Sequence, residues 1–148
     1  MASALLGGWQ IGGIWHLQSG RFLDWGNAFF YGNPDSIRRN SPTPDKWFNT
    51  DDFERNSSRV PASFHRRVFP QRIPSLTGDH MNQVDASLKR SIRITEGTRF
   101  EVRADAINVF NRVQWDNPST DPLSSNFGRV TQQWNTPRWI QFQLRFTY

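Results

Sequence analysis

Four segments of the chain alternate between a mainly apolar and a mainly polar or small set of residues, and the stretches between them do not. Over residues 8–17, Trp9, Ile11, Gly13, Trp15 and Leu17 share one parity, while Gly8, Gln10, Gly12, Ile14 and His16 share the other. A period of two is the signature of a β-strand with two unlike faces, and a run so rich in glycine makes a poor helix. Further along, Val84, Ala86, Leu88, Ile92 and Ile94 oppose Asp85, Ser87, Lys89, Ser91 and Arg93, with Arg90 the one violation on the apolar face. Phe100, Val102, Ala104, Ala106 and Phe110 then oppose Glu101, Arg103, Asp105, Ile107 and Val109. A helical stripe through Phe100, Ala104 and Ile107 fits this third segment too, but its neighbours favour a strand. The last segment is the cleanest, with Ile140, Phe142, Leu144, Phe146 and Tyr148 set against Trp139, Gln141, Gln143, Arg145 and Thr147. The pattern predicts strands near 5–22, 83–94, 98–111 and 138–148, joined by long loops at 23–82 and 112–137, as one unit over 1–148.

The connections are very unequal. Thr95-Glu96-Gly97-Thr98 is a tight turn with glycine where a positive φ is needed. The two long connections are dense in turn formers, as in Gly32-Asn33-Pro34-Asp35 and Asp116-Asn117-Pro118-Ser119. Loops of that length are uncommon in compact soluble domains. They are ordinary in outer-membrane β-barrels, which alternate short periplasmic turns with long external loops. With the carboxyl end facing the periplasm, both long connections fall outside and the turn at 95–98 falls inside. Each segment also has the length, about 9–11 residues, that a tilted strand needs to cross hydrocarbon. The expected fold is therefore all-β: an antiparallel transmembrane β-barrel segment of about four strands, with long external loops and an incomplete barrel. Glu101, Arg103 and Asp105 would form a charged lumenal row, and Trp9, Trp15, Phe22, Phe110 and Tyr148 would lie near the membrane interfaces.

Composition sharpens this picture. The 148 residues include seven Trp, 12 Phe and two Tyr but no Cys, and 36% are hydrophobic, with a net charge of +5. Without cysteine, neither a disulfide framework nor a thiolate metal site is available. No apolar run is long enough for a membrane-spanning helix, and the start lacks the features of a secretory signal. A chain so rich in rings and poor in aliphatics suits a boundary: a ligand platform, a nucleic-acid stacking surface or a membrane interface.

Several motifs, in order along the chain, resemble the barrels of TonB-dependent receptors. Leu6-Gly7-Gly8-Trp9-Gln10-Ile11 with Gln18-Ser19-Gly20 resembles a recurring strand of the Oar-like group, whose members carry a carboxypeptidase-regulatory-like amino-terminal domain. Trp47-Phe48-Asn49-Thr50 followed by Phe53 is similar to a loop signature of that group, and Val84 to Arg90 with Ile94-Thr95-Glu96 to its next strand and turn. Ala104-Asp105-Ala106-Ile107-Asn108-Val109-Phe110-Asn111, Asn117-Pro118, Phe127-Gly128-Arg129-Val130 and Pro137-Arg138 complete the likeness. It implies the carboxyl-terminal part of a receptor whose whole barrel has about 22 strands, located in the outer membrane and importing a bulky ligand. The signal peptide, the regulatory-like domain and the plug are missing from this sequence, so the expectation is a fragment that is not competent alone. The implied partners are outer-membrane lipid and lipopolysaccharide, the barrel-assembly machinery, and the missing barrel and plug.

Two groups of residues stand out as candidate sites. Leu144, Phe146 and Tyr148 resemble the assembly signal read by the barrel-assembly machinery, for which strand addition at an unpaired edge is the physical basis; an ordinary amphipathic edge strand is the plainer reading. Arg38, Arg39, Arg66 and Arg67, with Arg55, Arg59 and Arg72 and the nearby Phe53, Phe64 and Phe69, suit lipopolysaccharide phosphates, since guanidinium matches phosphate geometry. The same residues also fit a solvated loop face, or single-stranded nucleic acid, which the reading leaves out. His16, His65 and His80 lack metal-ligand spacing, no nucleophile elbow is present, and no cofactor or catalytic site is expected. The alternative function is a soluble β-rich module that grips carbohydrate or nucleic acid through Trp and Arg.

Overall fold

A computed structural model describes residues 7–148. It contains four strands: β1 (Trp9–Gln18), β2 (Met81–Arg93), β3 (Arg99–Ile107) and β4 (Trp139–Thr147). They form one antiparallel sheet in the order β1-β2-β3-β4. The third segment is thus a strand and not a helix. Among the described residues no helix is long and apolar enough to cross a membrane. The chain divides into two compact units, a sheet unit built around the strands and a loop unit comprising residues 19–80 and 114–134.

The register explains how a sequence pattern becomes a surface. Ile11 lies opposite Leu88, Leu88 opposite Ala104, and Ala104 opposite Phe142. One row along, Gly13, Ala86, Ala106 and Ile140 line up, and on the other side Trp9, Arg90, Val102 and Leu144 do. Because side chains alternate faces, a slip of one residue in any strand would scatter these rows. The residues between them form the other face: Gln10, Lys89, Arg103 and Gln143 in one row, Gly12, Ser87, Asp105 and Gln141 in the next. Ile14, Met81 and the Ile107–Trp139 pair are the apolar exceptions on that polar face.

Gly97, in the turn after β2, does not take the positive φ expected of it, and the strand ends also differ from the sequence expectation. β1 stops at Gln18 rather than at 22, and Phe22 instead makes an isolated bridge with Thr77 inside the loop unit. β2 begins earlier, at Met81, so 81 and 82 are strand and not loop. β3 ends at Ile107 rather than at 111, because Asn108 and Asn111 take left-handed backbone conformations with φ of 52° and 50°. Asparagine tolerates that region better than most residues. Asn108 is only 1% exposed and fully bonded: its N–H donates to Asp85 Oδ1, its Nδ2 to the carbonyls of Arg112 and Thr136, and its Oδ1 accepts from Arg112 N–H. The expected residues 5 and 6 of the first strand lie outside the described residues.

The loop unit holds the hydrophobic core. Leu23, Trp25, Ile37, Trp47, Phe48, Phe53, Phe69, Phe127 and Val130 are all buried in it, with Phe30 and Trp115 packed against them. Trp25 is the hub. Its ring stacks on Phe53 at 5.4 Å and meets Phe48, Phe69 and Phe127 at 4.9, 5.3 and 6.2 Å in tilted or edge-on arrangements, the geometries that favour aromatic pairs. The two long connections therefore fold on each other, and little regular structure is needed: a four-residue 3-10 turn at Pro34–Ile37, capped by the Asn33 side chain, is the one helix among the described residues.

Candidate functional site

The sheet carries two surfaces with opposite chemistry. On the apolar face, Ile11 is 83% exposed, Phe142 74% and Leu144 68%, and the same face runs across all four strands, interrupted in β2 by Arg90 and Asn82. On the polar face two ion pairs form. Lys89 Nζ lies 3.3 Å from Glu101 Oε2, and Arg103 Nε lies 2.9 Å from Asp105 Oδ2. Asp85 accepts from Gln83 Nε2 at 2.9 Å and from Asn108 N–H at 2.8 Å, and His16 Nε2 stands 3.5 Å away. An open depression of about 480 Å³ is lined by Gly12, Ser87, Asp85, Arg103, Asp105 and Gln141 among others. The expected row of Glu101, Arg103 and Asp105 is present on this face, and sequence reasoning missed the cross-strand and same-strand partners that neutralise it.

Arg90, the violation of the apolar pattern, has an answer in the register. It lies directly opposite Trp9, with its guanidinium 5.4 Å from the indole centroid. A cation over a tryptophan face is stabilised by the ring quadrupole, and the long side chain can reach from an apolar surface toward water.

In the loop unit the resembling motifs converge. Trp47 and Phe48 are buried, Trp47 N–H donates to Gly128 O at 2.8 Å, and Trp47 Nε1 donates to Thr77 O at 2.8 Å. Asn49 ties the 3-10 turn to the core, its N–H donating to Ile37 O and its Nδ2 to Ser36 O. Gly128 has a φ of 77°, and a Cβ there would come within 2.6 Å of Thr50 Cγ2, so both backbone and space call for glycine.

The candidate arginines separate into tied and open ones. Arg67 Nη1 donates to the carbonyls of Trp25, Gly26 and Phe69, and Arg39 Nη1 reaches Asn49 Oδ1 at 3.4 Å. Arg55 bonds the Pro122 carbonyl, and Arg72 Nε pairs with Asp24 at 2.8 Å. The Asp24 pairing raises the Arg72 pKa further above its ordinary value. Arg38 and Arg66 are exposed. The rings between them do not form one platform, because Phe53 and Phe69 are buried while Phe64 is 94% exposed. The residues expected to form an assembly signal, Leu144 and Phe146, lie on the apolar face of the edge strand β4, and Tyr148 follows it with its ring 6.4 Å from that of Phe146. Trp9 and Trp15 share the apolar face, and Phe110 is exposed just beyond β3.

Among the described residues, no group of three His, Asp or Glu could hold a metal ion. No curated protein and no solved structure matches the chain. A family model described as an outer membrane beta barrel domain matches residues 1–141. The amphipathic sheet and this near-complete match agree: the chain belongs to the outer membrane beta barrel domain family, is an outer-membrane protein, and contributes strands to the wall of a barrel.

Proposed function

We propose that this stretch of barrel wall belongs to a TonB-dependent receptor of the Oar-like group and serves in the uptake of a bulky ligand. The observation that carries the reading is the in-register apolar face, open to its surroundings, backed by a polar face that holds the charged side chains: the two surfaces suit lipid on one side of the sheet and a lumen on the other. Support for the finer assignment comes from the loop motifs, since Trp47-Phe48-Asn49-Thr50, Phe53 and Phe127-Gly128-Arg129-Val130 meet in a single core.

In this reading the role is structural and transport-related, not enzymatic. Asp85, the carboxylate nearest a histidine on the polar face, is already engaged by Gln83 and Asn108. Outer-membrane lipid covers the apolar face. Arg38 and Arg66 are the arginines best disposed toward lipopolysaccharide phosphate, because Arg67 is held by three carbonyls. Leu144, Phe146 and Tyr148 serve as the assembly signal at a strand edge, and the remaining barrel and plug complete the transporter. Nucleic acid is no part of this reading, since of the rings among the arginines Phe53 and Phe69 are buried and Phe64 alone is exposed, which makes no stacking platform.

A photo-crosslinking residue at Arg103 or Gln143 tests it, in outer membranes of cells producing the receptor that contains this chain. The reading predicts adducts with a plug domain whose yield changes when the inner-membrane proton gradient is collapsed. Adducts with lipid alone, or plug adducts indifferent to the gradient, contradict it.

A further inference from the structure

The loop unit has a groove of about 260 Å³ between residues 28–34 and 68–70, lined by Phe29, Phe30, Tyr31, Pro34, Val68 and Pro70 among others. No charged residue lines it. One wall is a short extended segment already paired along one edge: Tyr31 N–H donates to Asp52 O and Glu54 N–H to Phe29 O, each at 2.9 Å, around the antiparallel bridge between Phe30 and Phe53. In that geometry the N–H and C=O of the bridging residue point away from the paired strand. Phe30 offers both groups on the other edge, and neither has a hydrogen-bond partner among the described residues.

The rim carries a charge. Tyr31 donates its hydroxyl to Glu54 Oε2 at 3.2 Å. Asn56 N–H donates to Glu54 Oε1 at 2.9 Å. Arg59 acts on the same pair from farther off. An aromatic trough beside a carboxylate attracts a cationic group, through charge and through the ring faces.

We propose that this groove binds an extended peptide that adds a strand to the Phe30 edge, seats an apolar side chain against Phe29, Val68 and Pro70, and sets a lysine or arginine toward Glu54. Strand addition supplies main-chain hydrogen bonds, and the trough supplies selectivity. The proposal does not depend on transport: binding requires the folded loop unit, whatever the barrel then does with its cargo.

The test uses the full chain in outer-membrane vesicles and fluorescence anisotropy of a labelled Lys-Val-Phe-Val-Lys peptide. The peptide is expected to bind saturably. N-methylation of its central residue should weaken binding about tenfold, the scale of a lost backbone hydrogen bond with its steric block. Replacing both lysines by glutamate, or introducing Glu54→Gln, should each weaken it about threefold or more. Val68→Trp should fill the groove and abolish binding, while Phe64→Ala, outside the groove, leaves it unchanged; near-UV circular dichroism of each variant confirms that the aromatic core is intact. Equal binding of the N-methylated peptide, equal binding of the acidic peptide, or binding of a neutral hexasaccharide in place of either overturns the proposal.

Discussion

In the loop unit, Trp25, Phe48, Phe53 and Phe127 are packed ring against ring out of solvent, whereas in the sheet Ile11, Phe142 and Leu144 stand open along one face. The two regions draw on the same apolar residue types and treat them oppositely. Every one of the buried hydrophobic residues lies outside the four strands. A water-soluble β-domain does the reverse, hiding the apolar face of its sheet and leaving its loops wet. The difference is the one an outer-membrane barrel requires: a loop unit in water must hide its apolar residues in a core, while a barrel wall can leave its outer face to hydrocarbon. The excess of aromatic residues, too many for one core of this size, is thereby divided between two environments.

The largest expected effect breaks the loop side of this comparison. Trp25→Ala removes the ring on which four phenylalanines pack and should cost about 3–5 kcal/mol, read as loss of the near-UV aromatic signal while the β-sheet signal in the far ultraviolet persists. Loss of both together would show that the two regions do not differ in what stabilises them.

Next comes the sheet. Phe142→Arg places a charge in the Ile11–Leu88–Ala104–Phe142 row of the apolar face and should cost about 2–4 kcal/mol of membrane stability, whereas Gln143→Arg on the polar face should cost little. Equal penalties would mean that the faces are not distinguished by lipid. Gly128→Ala, with its left-handed backbone and the close Thr50 methyl, should lower the loop unit's stability by about 1–2 kcal/mol, measured by chemical denaturation. Arg90→Leu sharpens the depth of the sheet: a gain of no more than about 1 kcal/mol puts Arg90 near an interface, and a gain of about 2–4 puts it at the midplane.

The smallest effect is that of pH. Glu54 is held below the usual carboxylate range, first by the Asn56 N–H, and Tyr31 is raised above the usual phenol range, first by desolvation and then by its bond to Glu54. A lowered carboxylate contributes stability at neutral pH that is lost as pH falls through its folded value; a raised phenol contributes stability that is lost as pH rises through its own. The thermal midpoint of the loop unit should therefore sag slightly at both extremes, and Glu54→Gln should remove the acid limb.

The strands were legible because unlike surroundings on the two sides impose a period of two, and β4 obeys it at every position after Trp139. The strand ends were less so: Asn108 and Asn111 stop β3 through left-handed turns that Val109 and Phe110, still in alternation, conceal. The loop core was not legible at all. Trp25, Phe53, Phe69 and Phe127 sit in irregular segments far apart in sequence, where no period marks an inward side. Phe53 and Phe69 read as rings among arginines, a surface feature, and Arg67 read as a free cation when it binds three carbonyls. The Trp9–Arg90 pairing depends on a register that only the assembled sheet defines.

Cysteine scanning of β4 tests the central claim most directly, since the chain has no cysteine of its own. Single cysteines from Ile140 to Phe146, labelled with an environment-sensitive fluorophore in outer-membrane vesicles, should alternate. Positions 140, 142, 144 and 146 should be quenched by spin-labelled lipid, and positions 141, 143 and 145 should respond only to a water-soluble quencher. Uniform quenching by the aqueous reagent at all seven positions would contradict a sheet that faces hydrocarbon.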